Sequence, residues 1–206
     1  PAEMKGMIED TIIPKYLPKK RIDQFITLHT SGVPESKITE QIADIIREYK
    51  HSFGFAFLPS HTGVNIRIKE KYPSNNSLAM KKVVEDLERK LGKVVYGKNG
   101  DSLEKVLGDL LKSQKLSVSV AESCTGGLIA KRLTDVPGSS DYFLGGIISY
   151  SNDIKEKLLN VPHDCLDQNG AVSKETAIKM ASGIINLTGS HIGIGTTGIS
   201  GPDGGT

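Results

Sequence analysis

The sequence predicts an α/β chain in two parts: a small α+β domain, then a largely parallel, three-layer α/β domain. Two observations carry the prediction. Between Arg21 and Lys98, apolar residues alternate with period two in paired runs and recur every three or four residues in the neighbouring segments. Beyond Gly100, strand-like runs and helical stripes take turns, which implies parallel strands covered on both faces. At 206 residues the chain is long enough for two cores.

Residues 1–20 hold one short apolar set, Met4, Met7, Ile8 and Ile12. Pro14 and Pro18 then interrupt any helix, so this stretch is expected to be a tail or linker. The first domain is placed at residues 21–98. It opens with an extended run from Ile22 to Thr30 and a turn at Gly32-Val33-Pro34. A helix follows, because Ile38, Ile42, Ile45 and Tyr49 fall on one apolar stripe. Phe53, Phe55 and Phe57 then alternate in one strand and Val64, Ile66 and Ile68 in the next, forming a hairpin across Ser60-His61-Thr62-Gly63. A second helix carries Met80, Val84, Leu87 and Leu91 on one face, and Gly92 is placed to end it.

A third helix is expected from Asp101, which can cap it while Glu104 reaches back. Leu103, Val106, Leu107, Leu110 and Leu111 give it a continuous face to bury. The second domain, residues 99–206, therefore starts just before it. Its predicted order is a strand from Ser117 to Ala121, a Gly-rich turn, a helix from Leu128 to Leu133 and an apolar strand from Phe143 to Tyr150. A short helix from Asn152, a longer one from Lys174 to Leu187 and a strand from Ile192 to Thr196 complete it. Because the chain begins on Pro1 and stops in the loop-like run Gly204-Gly205-Thr206, it reads as a fragment whose second domain is truncated at its C-terminus.

Composition narrows the function classes. The net charge of +2 comes from 26 basic and 24 acidic side chains that are interspersed, so no basic footprint is present and nucleic acid is not an expected partner. The Lys19-Lys20-Arg21 cluster reads as solvated linker, and residues 21–98 contain no complete GxxG loop of the kind with which KH modules clamp RNA. Two cysteines, Cys124 and Cys165, do not make a disulfide framework. No tract approaches the roughly 18 apolar residues of a membrane span, so no membrane partner is expected and a reducing cytoplasm is the expected location. His163 and Cys165 form an isolated H-x-C and the other histidines lack zinc-site spacing, so no metal is expected.

The chemistry concentrates at Glu122-Ser123-Cys124-Thr125-Gly126-Gly127. This turn joins a strand to a helix and so belongs at the carboxyl edge of a parallel sheet, where ligands bind. Three nucleophile types sit side by side there, Ser123, Cys124 and Thr125. Capping would also explain them, and spacing alone leaves both readings open. A second Gly-rich loop, Gly195 to Gly205, follows the last strand onto the same edge. Gly193, Gly195 and Gly198 satisfy G-x-G-x-x-G, but Ser200-Gly201-Pro202 breaks the helix that a dinucleotide fold demands, and no Gly-Lys-Ser/Thr makes a Walker loop, so no cofactor is expected. Between the two loops, Tyr150 at a strand end and Lys155 one turn into the next helix could face the same edge. A Lys with a pKa lowered by burial can serve as base for a Ser hydroxyl, although both residue types are commonplace in such positions.

Four segments then carry a resemblance: Ala121-Glu-Ser-Cys-Thr-Gly-Gly127, Gly146-Ile-Ile-Ser-Tyr-Ser-Asn152 with Lys155, Gly170-Ala-Val-Ser173 and Thr197-Gly-Ile-Ser-Gly-Pro202. In order and spacing they resemble the C-terminal domain of CinA, the bacterial competence/damage-inducible protein family. Residues 21–98 resemble that family's KH-like middle domain. Pro1-Ala-Glu-Met-Lys5 resembles the end of its N-terminal molybdopterin-binding-like domain, which is associated with ADP-ribose pyrophosphatase activity.

The resemblance implies a nicotinamide-nucleotide amidohydrolase that converts nicotinamide mononucleotide to nicotinate mononucleotide and ammonia with neither metal nor cofactor. It makes Ser123 the nucleophile and Tyr150 and Lys155 the groups that activate it. Thr125, Gly126, Gly127, Thr197, Gly198 and Gly201 would supply oxyanion and phosphate donors, and Asn152 would contact substrate. The implied partners are the nucleotide and, in the full-length protein, a second copy as a homodimer. The family's sequence beyond the Gly-Pro-x-Gly-Gly loop, with a substrate-binding Arg, is absent. The alternative expectation is therefore a non-catalytic tethering or oligomerisation fragment.

Overall fold

The structure is a computed structural model that describes residues 6–8, 11, 15, 25–60, 62–72 and 77–199. Alternating apolar residues build the first sheet. Strand β1 (Phe25–Thr30) is followed by helices α1 (Glu35–Gln41) and α2 (Ala43–Tyr49), strands β2 (Phe53–Ser60) and β3 (Gly63–Glu70), helix α3 (Ser77–Leu91), a 3-10 turn (Gly92–Val94) and β4 (Val95–Lys98). The four strands pair antiparallel in the order β2-β3-β1-β4. Leu28, Ile66 and Ile68 on the sheet close against Ile38, Ile42 and Leu87 on the helices, all of them fully buried. The single expected helix over Ile38 to Tyr49 is two, meeting at Ile42 with φ −103° and ψ 13°. Ile42 N–H still donates to Ile38 O and Ile46 N–H to Ile42 O, so the apolar stripe runs on across the bend. Strand β4, too short to show a period, is new to the structure. The expected N-terminal tail and the residues from Arg21 to Gln24 lie outside the described set apart from isolated positions.

The chain divides between Asp101 and Ser102, and the second unit is built around a parallel sheet. Its elements are α4 (Leu103–Ser113), β5 (Val118–Glu122), α5 (Leu128–Thr134), a 3-10 turn (Ser139–Asp141), β6 (Phe143–Ile148), α6 (Asn152–Leu159), α7 (His163–Asn169), α8 (Lys174–Thr188) and β7 (Ile192–Thr196). The strand order is β6-β5-β7, with Glu122 in register with Ile148 on one side and Thr196 on the other. Alternation along β5 separates two cores. Val118 and Val120 pack with Leu111 of α4, Leu133 of α5 and Tyr142, while Ala121 packs with Leu159 of α6 and with Met180 and Ile184 of α8. Helices therefore cover both faces of the sheet, as expected. Helix α8 lies unusually close to β7: a Cβ on Gly195 would fall 2.2 Å from Ala177 O, and one on Gly193 2.3 Å from Ala181 O.

Two details of α4 differ from expectation. Its N-cap is Ser102, whose side chain accepts from Lys105 N–H at 3.2 Å. Asp101 instead accepts from Lys98 N–H at 2.9 Å and closes the preceding turn. Leu110 is exposed rather than buried, because the buried face runs through Gly108, where the Tyr142 ring lies, and Leu111. Among the described residues, no helix is long and apolar enough to cross a membrane.

Candidate active site

Parallel pairing puts the carboxyl ends of all three strands of the second unit on one edge, with β5 in the middle. Ser123 follows β5, Ser149 and Tyr150 follow β6, and Thr197 and Gly198 follow β7. The expected neighbours are thus brought together by topology. Ser123 N–H donates to Thr196 O at 3.0 Å and Ser149 N–H to Glu122 O at 2.7 Å, which ties the three strand ends together at the point where chemistry is expected.

Lys155 closes the site from below. It stands one turn before Leu159 on α6, and both residues face the core at 1% exposure. Its Nζ donates to Ser149 O at 2.9 Å and Tyr150 O at 3.1 Å, and lies 3.4 Å from the Oγ of Ser123, a residue 7% exposed. Burial lowers the pKa of this amine below the ordinary lysine value, opposed in part by the neighbouring Cys124 thiol. Nζ thus has three hydrogen-bond partners, the two carbonyls and Ser123 Oγ; in the unprotonated form two hydrogens would remain for the carbonyls and the lone pair would be available to the Ser123 hydroxyl.

A cavity of about 340 Å³ opens over this pair, lined by Ser123, Tyr150, Lys155, Ala171, Val172, Thr197, Gly198 and Ile199. That size suits a small-molecule ligand. Tyr150, Val172 and Ile199 are exposed and form an apolar rim. The Tyr150 hydroxyl makes no hydrogen bond among the described residues; it is the backbone carbonyl of Tyr150 that reaches Lys155. Thr197 Oγ1 donates to Ala171 O at 2.6 Å, anchoring the second loop, and the N–H groups of Thr197 and Gly198 have no partner among the described residues.

The first Gly-rich turn is arranged differently from expectation. Gly126 N–H donates to Ser123 O, and Gly127 N–H donates to the Glu122 carboxylate, as do Ile129 and Ala130 N–H. The start of α5 is filled from within the protein, so Gly126 and Gly127 have no N–H left for an oxyanion or phosphate. Thr125 keeps its N–H, while its hydroxyl pairs with that of Thr196 at 2.9 Å. Positive φ at Gly126 (59°) and Gly127 (98°) lets the chain make this turn, and a Cβ on Gly127 would press on Ile148. Asn152, exposed at the first position of α6, does not line the cavity. Gly201 lies outside the described residues.

Glu122 lies within the Ser123 motif, but nothing in the sequence gives it a role of its own. Its signal was an acid just ahead of a helix start, where carboxylates are favoured. Ser149, whose carbonyl orients Lys155, and Val172 and Ile199 on the rim gave no signal.

Residues 100–206 match the family described as the CinA C-terminal domain, and residues 26–97 the one described as the damage-inducible protein CinA KH domain. The chain is 44% identical over 211 residues to a CinA-like protein of Chloroherpeton thalassium, covering 100% of this chain and 50% of that protein. It is 38% identical over 213 residues to a CinA-like protein of Chlorobaculum tepidum, covering 100% of this chain and 49% of that protein. The chain thus spans about half the length of the curated relatives it matches. The crystal structure of the competence/damage inducible protein CihA from Agrobacterium tumefaciens is 41% identical with a TM-score of 0.49, covering 50% of this chain and 63% of that one.

Proposed function

The chain belongs to the CinA family, and from that premise we propose that its second unit is a serine amidohydrolase that deamidates nicotinamide mononucleotide to nicotinate mononucleotide and ammonia. The observation that carries the proposal is the buried Lys155 amine, 3.4 Å from Ser123 Oγ and fixed by two carbonyls. Nothing in the packing of the sheet requires a lysine at that position, and burying one costs free energy.

In the proposed reaction, Lys155 Nζ takes the Ser123 proton as Oγ attacks the carboxamide carbon. The resulting ammonium gives that proton to the leaving nitrogen, and ammonia departs. Water, deprotonated by the same amine, then attacks the Ser123 ester; the ammonium returns that proton to Ser123 Oγ as the ester bond breaks, and nicotinate mononucleotide leaves. Thr197 and Gly198 line the cavity, and in this reading their N–H groups would stabilise the oxyanion or bind the phosphate. The apolar rim of Tyr150, Val172 and Ile199 suits a flat heteroaromatic ring. Cys124 is the rival nucleophile, with its sulfur near Gly198 and its charge acting on Lys155, but it is Ser123 Oγ that lies within hydrogen-bond distance of the lysine amine.

Ammonia release from nicotinamide mononucleotide by the full-length gene product tests the reading. Ser123→Ala is expected to abolish release and Cys124→Ala to retain most of it. Undiminished turnover in Ser123→Ala overturns the assignment.

A further inference from the structure

Among the described residues, Glu122 is the other ionisable side chain buried in the second unit, at 1% exposure. It has no Lys, Arg or His ion-pair partner among the described residues, a situation that ordinarily drives a carboxyl to its neutral form. Here the protein supplies donors instead. Oε2 accepts from Gly127 N–H at 3.1 Å and Ile129 N–H at 3.1 Å, and Oε1 from Ala130 N–H at 2.8 Å. Burial pushes the carboxyl up, and these hydrogen bonds more than reverse it, so the group is held as an anion below the ordinary glutamate value.

The geometry is that of a clasp. The side chain reaches over Ser123 to Gly126 and grips the chain where α5 begins, while the main-chain oxygen of the same residue accepts from Ser149 N–H at 2.7 Å. Ser149 in turn supplies a carbonyl that orients Lys155. One residue therefore holds both ends of the Ser123 turn and touches the support of the base. Restraint is needed there, because two successive glycines with positive φ leave the turn many alternative paths.

We propose that Glu122 is a positioning residue: its carboxylate fills the start of α5 from inside, locks the four-residue turn from Ser123 to Gly126, and thereby fixes Ser123 Oγ against Lys155 Nζ. The proposal rests on the reading of Ser123 as nucleophile. It also accounts for why the helix start is closed to substrate anions, which are left to the Thr197 loop.

The test compares wild type, Glu122→Gln and Glu122→Asp in the full-length gene product. Gln keeps the size but offers an NH₂ where backbone N–H groups need acceptors; Asp keeps the charge but falls one methylene short. Two rates are read: ammonia release from nicotinamide mononucleotide, and sulfonylation of Ser123 by phenylmethylsulfonyl fluoride, followed by mass spectrometry. A misplacement of about 1 Å costs on the order of 10²-fold. In both variants kcat is expected to fall by about that factor with KM nearly unchanged, and Ser123 labelling to slow in parallel. The acidic limb of the pH profile should stay where wild type has it, because a site that merely collapsed would rehydrate Lys155 and return its pKa toward the ordinary lysine value. Wild-type rates in a folded Glu122→Gln or Glu122→Asp protein overturn the proposal, as does unfolding of both variants, which would make Glu122 a structural residue only. If wild type labels at Ser123 and the variants do not, yet no form releases ammonia, the substrate assignment fails while the positioning role stands.

Discussion

The two units bury different things. In the first, among the described residues, the buried side chains are apolar apart from Thr27 and Thr30. In the second, Ser119, Glu122, Ser123, Ser149, Lys155, Thr176 and Ser190 are buried as well, and both charges flank Ser123. A sheet needs no such groups to fold, and each must be matched with hydrogen bonds or it costs stability. The first unit is therefore explained by packing, while the second departs from packing at the edge where its three strands end. That departure marks the site more sharply than any single motif.

The largest expected effect tests whether the buried amine serves chemistry. Lys155→Met should lower ammonia release on the order of 10⁴-fold, and combining it with Ser123→Ala should cost little more, since groups that act as a unit are not additive. Wild-type activity should fall as pH drops through the Lys155 pKa, which lies below the ordinary value of 10.5, because the amine must be unprotonated to accept a proton. Stability carries the same signature. Between the lowered folded pKa and the ordinary unfolded one, the unfolded chain binds the extra proton, so wild-type stability rises with pH. Urea unfolding across that window should show the rise in wild type and a flatter profile in Lys155→Met; equal slopes would mean that the amine is charged in the folded state.

The counterpart in the first unit concerns stability alone. Leu87 on α3 is fully buried in the apolar cluster. Leu87→Ala should cost about 2–5 kcal/mol in denaturant unfolding. A cost under ~1 kcal/mol would show that this core collapses around the deletion.

Legibility followed the same divide. The paired strands β2 and β3 and helix α3 were readable because each carries one uninterrupted period, and β5, β6 and β7 because short apolar runs alternate with helical stripes. The bend at Ile42 was not, since the stripe continues across it. At the site, the Ser123 turn and the Thr197 loop were visible as glycines and hydroxyls, and the resemblance singled out Tyr150 and Lys155. What stayed hidden was how the donors are allocated. The closure of the α5 start by Glu122 depends on a side chain folding back across five to eight residues, and no periodicity records that.

A smaller effect tests the cap at the start of α4. Ser102→Ala should destabilise the chain by about 1 kcal/mol, because Lys105 N–H loses its acceptor. Asp101→Ala removes a turn hydrogen bond instead and should leave the helix start intact. Amide exchange at Lys105 distinguishes them: faster exchange in Asp101→Ala but not in Ser102→Ala would return the cap to Asp101.

The smallest effect comes from a second lysine on the helix that carries the first. Lys157 lies two residues after Lys155, so on a helical path it points to nearly the opposite side. It faces solvent and pairs with Asp153 at 2.6 Å, which raises its pKa through that hydrogen bond and charge, whereas burial lowers that of Lys155. Exposed pairs of this kind contribute little to stability. Lys157→Ala should leave the melting temperature and ammonia release unchanged, where Lys155→Met removes the activity. The residue type is therefore not what sets Lys155 apart. Its place on the apolar stripe, one turn before Leu159, takes it out of water and delivers it to Ser123, and a Lys157→Ala protein with impaired turnover would show that charge on the outer face of α6 also contributes.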